Sequence, residues 1–423
     1  YEMSASLVGS EMCIRDSMAT ESIITTRKYY KRNKILNIIR SNENISRYDV
    51  KKMTMYSMST VLDIIDDLIA SGMVYEADCE EPRVGRKPVW LRLNPEGGYF
   101  IGAEFNAFHL HCAMLDFTGE IIYQSEEDLL PDQGKDAILA LLIRHIHAAI
   151  DAVKGKPGQI FAISVGIPGY LNEDKSIALS HFRLKDWENV PVKKILEDEF
   201  HLPCYLDNNV NVMAFAYKWL RYNGDCRDFL FVSIRTGVRI VPVINNHLIL
   251  SRGGLSGELG HVKVAPHGTL CSCGGIGCLN SEISDLSILG KLKAGFEFGR
   301  FPEIMEMAGG DPDKVTLEMF CESAAQEHPD SVKLMLDLAN ILGEALGMAV
   351  NILAPEVVVL SGQLAQLGEP FFQEISKVLE RNVVQEIYQG LKVTASVFNE
   401  YIGAIGAAAY AMQEEFDFID KQI

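Results

Sequence analysis

The sequence predicts an α/β protein in two parts: an N-terminal winged helix-turn-helix, followed by a larger two-lobed body of strands and helices with a cleft between the lobes. Three observations predict it. Between residues 18 and 94 lie short, capped amphipathic helices followed by two apolar runs that bracket a basic tip. Near Glu96 the pattern changes to alternating apolar strands, and a similar strand-strand-helix unit returns in the second half of the chain. At 423 residues with 48% hydrophobic residues, the chain exceeds one core and can bury two or three.

The first seventeen residues, "YEMSASLVGSEMCIRDS", have no basic n-region and no sustained apolar run, and Met18 follows them directly. They resemble a translated sequencing-adaptor tail and are set aside. From Lys31, "KRNKILNIIRS" places Ile35, Leu36, Ile38 and Ile39 on one side of a helix. "ISRYDVKKM" opens a second helix with Ser46 as N-cap and Asp49 three residues on, close to a capping box. After the turn "TMY", Ser57 caps a third helix that carries Val61, Ile64, Ile65 and Leu68 on one face and stops at Gly72. "MVYEA" and "VWLRLNP" then form a hairpin wing with Arg83, Arg86 and Lys87 near its tip.

The net charge of −18 excludes a chain that coats nucleic acid along its length, but it averages over unlike segments. The stretch from Arg27 to Lys52 holds nine Lys/Arg against two Asp/Glu. A basic helix-turn-helix with a basic wing predicts binding to double-stranded DNA, the start of the third helix entering the major groove. Ser57, Ser59 and Thr60 stand there as candidate contacts, with Arg83, Arg86 and Lys87 on the wing. No Arg, Asn or Gln occupies that helix start, so bidentate reading of guanine or adenine is not expected from it, and the wing arginines gain weight as probes of a narrow minor groove. A dimerisation module is the plainer alternative for three amphipathic helices.

The body begins with "YFIGAEFNAFHLHCAMLDFTGEIIYQ", two strands joined at Thr118-Gly119, then the helix "DAILALLIRHIHAAIDAV" and the buried strand "IFAISVGIPG". "FLFVSIRTGVRIVPVINNHLIL" and "VVVLSG" repeat the unit. The expected boundaries are 18–94 for the winged helix, 95–207 for the first lobe, completed by a C-terminal helix over 400–420, and 208–399 for the second. No run of eighteen or more apolar residues occurs. Nine cysteines, six of them scattered singly, do not form a secreted disulfide pattern and fit a reducing cytoplasm.

The remaining cysteines are clustered. "GHVKVAPHGTLCSCGGIGCLN" holds His261, Cys271, Cys273 and Cys278 within eighteen residues. One nitrogen and three sulfurs close a tetrahedral Zn2+ site with no position left for water, which makes a structural site. Gly274, Gly275 and Gly277 allow the loop to turn back on itself. His267 is a rival ligand, and a set of reduced buried cysteines is the alternative reading.

Taken together, "ISRYDV", "YSMSTVLDIIDDLIASGMV", "VGRKPVWLRLNPEGGYFIGAE", "VGIPG", "DNNVN", "GGLSGELGHVKVAP" and "CSCGGIGCLN" resemble the ROK family of repressors, open reading frames and kinases, in particular its DNA-binding regulators. The likeness runs from Arg27 to the C-terminal helix. It implies an actin/hexokinase-like sugar-kinase body, a zinc loop that presents sugar-contacting groups, and a sugar or sugar-phosphate effector. For site residues it implies Glu258 and the second ring nitrogen of His261, beside the amides of Asn208 and Asn209 and the turn Gly166–Gly169.

The chain departs from the family's kinases where phosphate chemistry is done. The Asp-x-Gly-x-Thr loop is Glu104-Phe105-Asn106-Ala107-Phe108, and Gly-Thr-Gly-x-Gly is Arg235-Thr236-Gly237-Val238-Arg239. The adenosine-side Gly-Gly is Ser361-Gly362-Gln363. The catalytic aspartate of Asn-Asp-x-Asn is Asn209, whose amide has no accessible basic form; a one-residue slip would offer Asp207 instead, against the spacing to Asn211. The family's Gly-Cys-Leu-Glu glutamate is Asn280, with Glu282 nearby. A sugar-responsive repressor without catalysis is therefore expected, with an active ATP-dependent sugar kinase as the alternative and control by a protein partner as a third reading. A homodimer or homotetramer is expected, because one winged helix reads only half of a palindrome. The small and apolar residues of "VKLMLDLANILGEALGMAVNIL" and "AIGAAAYAMQEEF" suit close helix packing, between chains or within one.

Overall fold

The structure is a computed structural model that describes residues 28–42, 44–78, 89–130, 133–181, 183–220, 226–251, 256–396 and 400–417. The N-terminal unit is α1 (28–40), α2 (Arg47–Thr54) and α3 (Met58–Ala70), followed by the antiparallel pair β1 (Val74–Asp78) and β2 (Val89–Leu93). The expected caps are present. Ser46 and Asp49 form a reciprocal capping box on α2, and the Ser57 hydroxyl accepts the Thr60 N–H on α3. Met55, in the left-handed region at φ 60°, makes the turn between α2 and α3. Ile45 bridges to Leu91, so the segment before α2 adds a third rung to the wing. The wing tip, with Arg83, Arg86 and Lys87, lies outside the described residues.

The first lobe has a five-stranded sheet made by β3 (Tyr99–Phe105), β4 (His109–Asp116), β5 (Ile121–Asp128), β6 (Ile160–Ile167) and, further along, Cys204–Asn208. Helix α4 (Lys135–Ala152) covers one face. After β6, three short strands, β7 (Tyr170–Leu171), β8 (Ala178–Ser180) and β9 (Glu188–Val190), form a small sheet, and α5 (Val192–Phe200) leads into β10 (Cys204–Asn208). Helix α6 (Asn209–Leu220) begins where β10 ends and passes between the lobes, its apolar residues packing on Phe229, Phe231 and Val359 of the second sheet.

That second sheet is built from β11 (Phe229–Ile234), β12 (Val238–Ile244), β13 (His247–Leu248), β14 (Val357–Ser361) and β15 (Lys392–Ala395). Its order, β13-β12-β11-β14-β15, matches the first sheet's β5-β4-β3-β6-β10: an antiparallel three-strand run, then two strands parallel to its first member. Between β13 and β14 lie α7 (Leu279–Ile283), α8 (Asp285–Phe296), α9 (Pro302–Met307), α10 (Leu317–Ala325) and α11 (Pro329–Leu353); α12 (Glu369–Asn382) and α13 (Gln385–Tyr388) precede β15. By length and composition α11 could cross a membrane, but half of its most apolar window is buried, and Leu334, Leu338, Leu342, Leu346 and Val350 belong to the second lobe's core.

Helix α14 (Ile402–Phe416) returns to the first lobe and lies on β3, β4 and β6 beside α6. Both segments suited to close packing are used within the chain, α11 against α12 in the second lobe and α14 in the first. A Cβ on Gly406 would stand 1.9 Å from the Val212 carbonyl oxygen, and residues 402–409 are all buried. Its last turn reaches the winged helix, so that Ile35, Leu36, Val61 and Ile65 share one core with Phe100, Phe117 and Phe416.

Candidate functional site

The two sheets face a cleft of about 520 Å³, and its walls come from turns at their carboxyl ends. Gly169 follows β6, Asn208 and Asn209 join β10 to α6, and Glu258 and His261 lie on the segment after β13. All five sequence-predicted effector residues line this one cleft. So do Tyr170, His181, Arg183, Arg235, Arg239, Ser284 and Ser287, of which sequence motifs had marked only the two loop arginines, and those as obstructions.

The amides are partly engaged inside the protein. Asn208 donates through Nδ2 to the Gly169 carbonyl at 2.8 Å and accepts the Val210 N–H, so it shapes the turn that faces the cleft. Asn209 donates through Nδ2 to Glu104 Oε1 at 3.1 Å. Asp207 is buried beside them and held by three donors: Oδ2 takes Lys175 Nζ at 2.6 Å, and Oδ1 takes the Asn211 amide and the Asn208 N–H. It does not line the cleft. The one-residue slip that would make it a base therefore finds no support in the geometry.

The phosphate-loop departures are coupled in space. Glu104, fully buried at the end of β3, meets Arg235 Nη1 across the cleft at 3.0 Å. Burial alone would push its carboxyl up, yet the guanidinium, His111 and the Asn209 amide outweigh burial and hold it low. Arg239, on β12, turns instead toward Glu258, with Nη1 3.4 Å from Oε1. Burial pulls the Asp285 carboxyl up to about 6 in spite of Arg235 and Arg183, and burial with the neighbouring Arg183 drives the His181 imidazole down to about 4.

Asn280 lines the cleft but is engaged within the fold. Its Oδ1 accepts the Val238 N–H at 2.6 Å and packs against Gly260, so it ties β12 to the loop. Glu282 supports the same loop, accepting the Thr269 N–H and pairing with Lys291 at 3.0 Å.

His261, Cys271, Cys273 and Cys278 come together with one donor atom from each within 4.8 Å of all the others. Cys273 Sγ and Cys278 Sγ are 3.6 Å apart, far beyond a disulfide, and Cys271 Sγ is 3.7 Å from His261 Nδ1. Metal–ligand bonds of about 2.0 to 2.3 Å at tetrahedral angles place ligand atoms about 3.5 to 3.8 Å apart. The donor set therefore fits one tetrahedral ion; His267 is not in the group. The Gly275 N–H, with Cys278 next, lowers the Cys273 thiol to about 6, toward the thiolate that binds metal. Lys263 Nζ donates to Cys278 Sγ at 3.0 Å, a cation placed to offset the charge that metal-bound thiolates would carry. Gly277, at φ 68°, brings the loop against the Ala265 carbonyl, where a Cβ would stand 1.6 Å from the oxygen. With Nδ1 on the metal side, His261 turns Nε2 toward Glu258 Oε2 at 3.7 Å, and the loop thereby holds the cleft wall.

At the other end of the molecule, Ser57, Met58 and Ser59 are exposed and Thr60 half-exposed at the start of α3. Ser57 Oγ lies 2.8 Å from Thr60 Oγ1 and 3.1 Å from Ser59 Oγ, so its first task is capping. Tyr48, Lys52, Met53 and Met55 are exposed on the adjoining end of α2.

A body of two like sheets around a polar cleft, joined to a winged helix, defines a regulator-like protein on a sugar-kinase scaffold. The profile of the ROK family matches residues 100–414, and the chain belongs to that family. It is 28% identical to the xylose repressor of Caldicellulosiruptor bescii over 91% of this chain and 96% of that one. It is 24% identical to the DNA-binding transcriptional dual regulator NagC of Escherichia coli, over 86% and 88%. Among solved structures, a ROK family transcriptional regulator homologous to the E. coli MLC protein superposes with a TM-score of 0.80 at 22% identity, covering 92% of this chain and 97% of that one. A ROK glucokinase from Streptomyces griseus, in complex with glucose and AMPPNP, superposes with a TM-score of 0.66 at 24% identity over 75% of this chain and all of its own. The glucokinase covers the smaller share of this chain.

Proposed function

We propose that the protein is a sugar-responsive DNA-binding repressor of carbohydrate-utilisation genes, whose kinase-like body binds a sugar or sugar phosphate without phosphorylating it. The observation that carries this reading is the filled phosphate position: Glu104 and Arg235 close on each other where the family's kinases have glycine loops, and Asn209 stands in place of the base. The cleft offers Glu258, Asn209 Oδ1, Arg239 and the Gly169 turn to hydroxyl groups. The names of the curated relatives support the repressor function and a sugar signal.

The loop of His261, Cys271, Cys273 and Cys278 holds one Zn2+, whose role is to fix the cleft wall that presents Glu258. Ser57, Ser59 and Thr60 approach the major groove, and Arg83, Arg86 and Lys87 of the wing reach the adjacent backbone or minor groove. Two copies engage a palindrome, and the protein works in the cytoplasm, where its target DNA lies.

The test is operator binding with and without sugar, using a duplex selected from a random pool. Glu258→Ala is expected to leave sugar-free affinity within about twofold and to remove the response; a normal response would place the effector elsewhere. A charge-assisted hydrogen bond contributes about 1.5 to 3 kcal/mol, so sugar affinity should fall by roughly tenfold or more. Incubation with labelled ATP and D-xylose or N-acetylglucosamine should give no sugar phosphate. Turnover that Asp207→Asn abolishes would establish the kinase alternative.

A further inference from the structure

Glu104 is in contact with three parts of the molecule at once. It sits on β3 in the first lobe, its Oε1 receives Asn209 Nδ2 from α6, and the same oxygen receives Arg235 Nη1 from the second lobe. Arg235 is anchored in that lobe, where its carbonyl accepts the Asp285 N–H at the start of α8. Both donors line the cleft. The third neighbour is α14. Gly403, in its first turn, lies so close that a Cβ there would stand 2.5 Å from Glu104 Cγ and 3.0 Å from its carboxyl carbon. Ile402 packs with α6 and with Val359 of the second sheet.

The other end of α14 holds the DNA-binding unit. Phe416 meets Phe100, Phe117 and Phe161 edge-on, with ring centres 4.9 to 5.9 Å away, and the Arg32 guanidinium of α1 lies over its ring. Asn37 of α1 donates to the Asp417 carbonyl at 2.8 Å, and Tyr29 of α1 donates to the Glu415 carbonyl. Fifteen residues of helix span about 22 Å, so a single rigid element runs from the buried carboxylate to the winged helix.

We propose that Glu104, Asn209 and Arg235 form a latch between the lobes that an effector opens, and that α14 carries the opening to the winged helix. This rests on the cleft being the effector site. A sugar oxygen that takes the Asn209 amide or the Arg235 guanidinium removes a donor from Glu104. A fully buried carboxylate that loses one of its two donors, with His111 Nδ1 3.8 Å from its other oxygen, must turn or gain a new one. Because Gly403 packs directly on the side chain, a turn of Glu104 presses on the first turn of α14. The closed latch, which packs α14 against α1, is the operator-binding state.

The variant Glu104→Gln keeps the side chain's volume and removes its charge, weakening the hold on Arg235. Linkage between two sites is reciprocal. Glu104→Gln should therefore bind the operator about 5- to 20-fold more weakly without sugar, and bind D-xylose or N-acetylglucosamine more tightly by a similar factor, within the usual range of allosteric coupling. Gly403→Ala, which does not touch the cleft, should shift both affinities in the same directions. Amide exchange over Gly403–Ala411 and over α1 should speed up in both variants and in the wild type with the active sugar. A purely structural role for Glu104 would lower both affinities together, and that outcome overturns the latch, as does wild-type behaviour of both variants. If neither sugar alters operator binding by the wild type, the effector reading is what fails for these sugars. The latch is then judged on sugar-free operator affinity and α14 exchange, and unchanged values in Glu104→Gln overturn it.

Discussion

Cys273→Ser together with Cys278→Ser should reduce bound zinc from one equivalent per chain to near zero and abolish the sugar response. The donors of the loop stand at the separations of co-ligands of one tetrahedral ion. The ends of the loop are tied down by Asn280 and Glu282, but its turn is not. Ser272 and Gly274 at its turn are exposed, as is Cys273, and so are Leu270 and Ile276, two large apolar side chains that no core covers. Without the metal, the segment from His261 to Cys278 keeps backbone bonds such as Cys271 N–H to Gly275 and Val264 N–H to Gly277, but its turn has no apolar core beneath it to fix the position of His261. Zinc binding is then a large part of the loop's folding free energy, which reaches about 10 to 16 kcal/mol in isolated zinc-finger peptides. Glu258 depends on the loop through His261, so sugar affinity should drop by more than about tenfold while the winged helix, at the far end of the first lobe, stays folded. Metal analysis, sugar titration and circular dichroism on the purified double variant check this. A folded wild type with much less than one zinc, or a double variant that still answers to sugar, would refute it.

Arg86→Ala with Lys87→Ala should weaken operator binding by on the order of tenfold to a hundredfold near 0.1 M salt and flatten its salt dependence. Each phosphate neutralised contributes about −0.9 to the slope of log affinity against log salt, so the loss of two contacts should reduce the slope by about two. The electrostatic contrast makes this large. The chain carries −18 overall, so its attraction to DNA is expected to come from the N-terminal unit, where nine Lys/Arg stand against two Asp/Glu between Arg27 and Lys52. Arg47 is already paired with Asp66 and Glu76, at 2.6 and 2.8 Å, so it offers less to a phosphate than its charge suggests. The test is a salt titration of operator binding for wild type and variant. Identical affinity at every salt concentration would remove the wing from the interface.

The local chemistry of this chain was determined by its sequence. Ser46 with Asp49, and Ser57 before an apolar stripe, specify helix starts because their side chains satisfy backbone donors that the helix itself cannot. Alternating strands with a repeated order specify two like sheets, and a C-x-C-x4-C spacing after a histidine specifies a loop able to close on a metal. These features act over a few residues, and the sequence states them directly.

What the tertiary structure alone decided is which distant groups meet. Arg235 and Arg239 occupy equivalent-looking glycine positions, yet one reaches Glu104, 131 residues away, and the other turns to Glu258. Asp207 reads as a candidate base and Asn280 stands in place of a sugar-contacting glutamate, but hydrogen bonds with Lys175 and Asn211, and with the Val238 N–H, tie them into the fold, while Asn208 lines the cleft and also holds the Gly169 turn. The run of small residues in α14 reads equally well as a seam between chains. Its burial between β3, α6 and the winged helix makes it the internal link instead. The physical reason is the same in each case: a buried polar or closely packed group takes its role from the partner that satisfies it, and that partner is set by the folding of the whole chain.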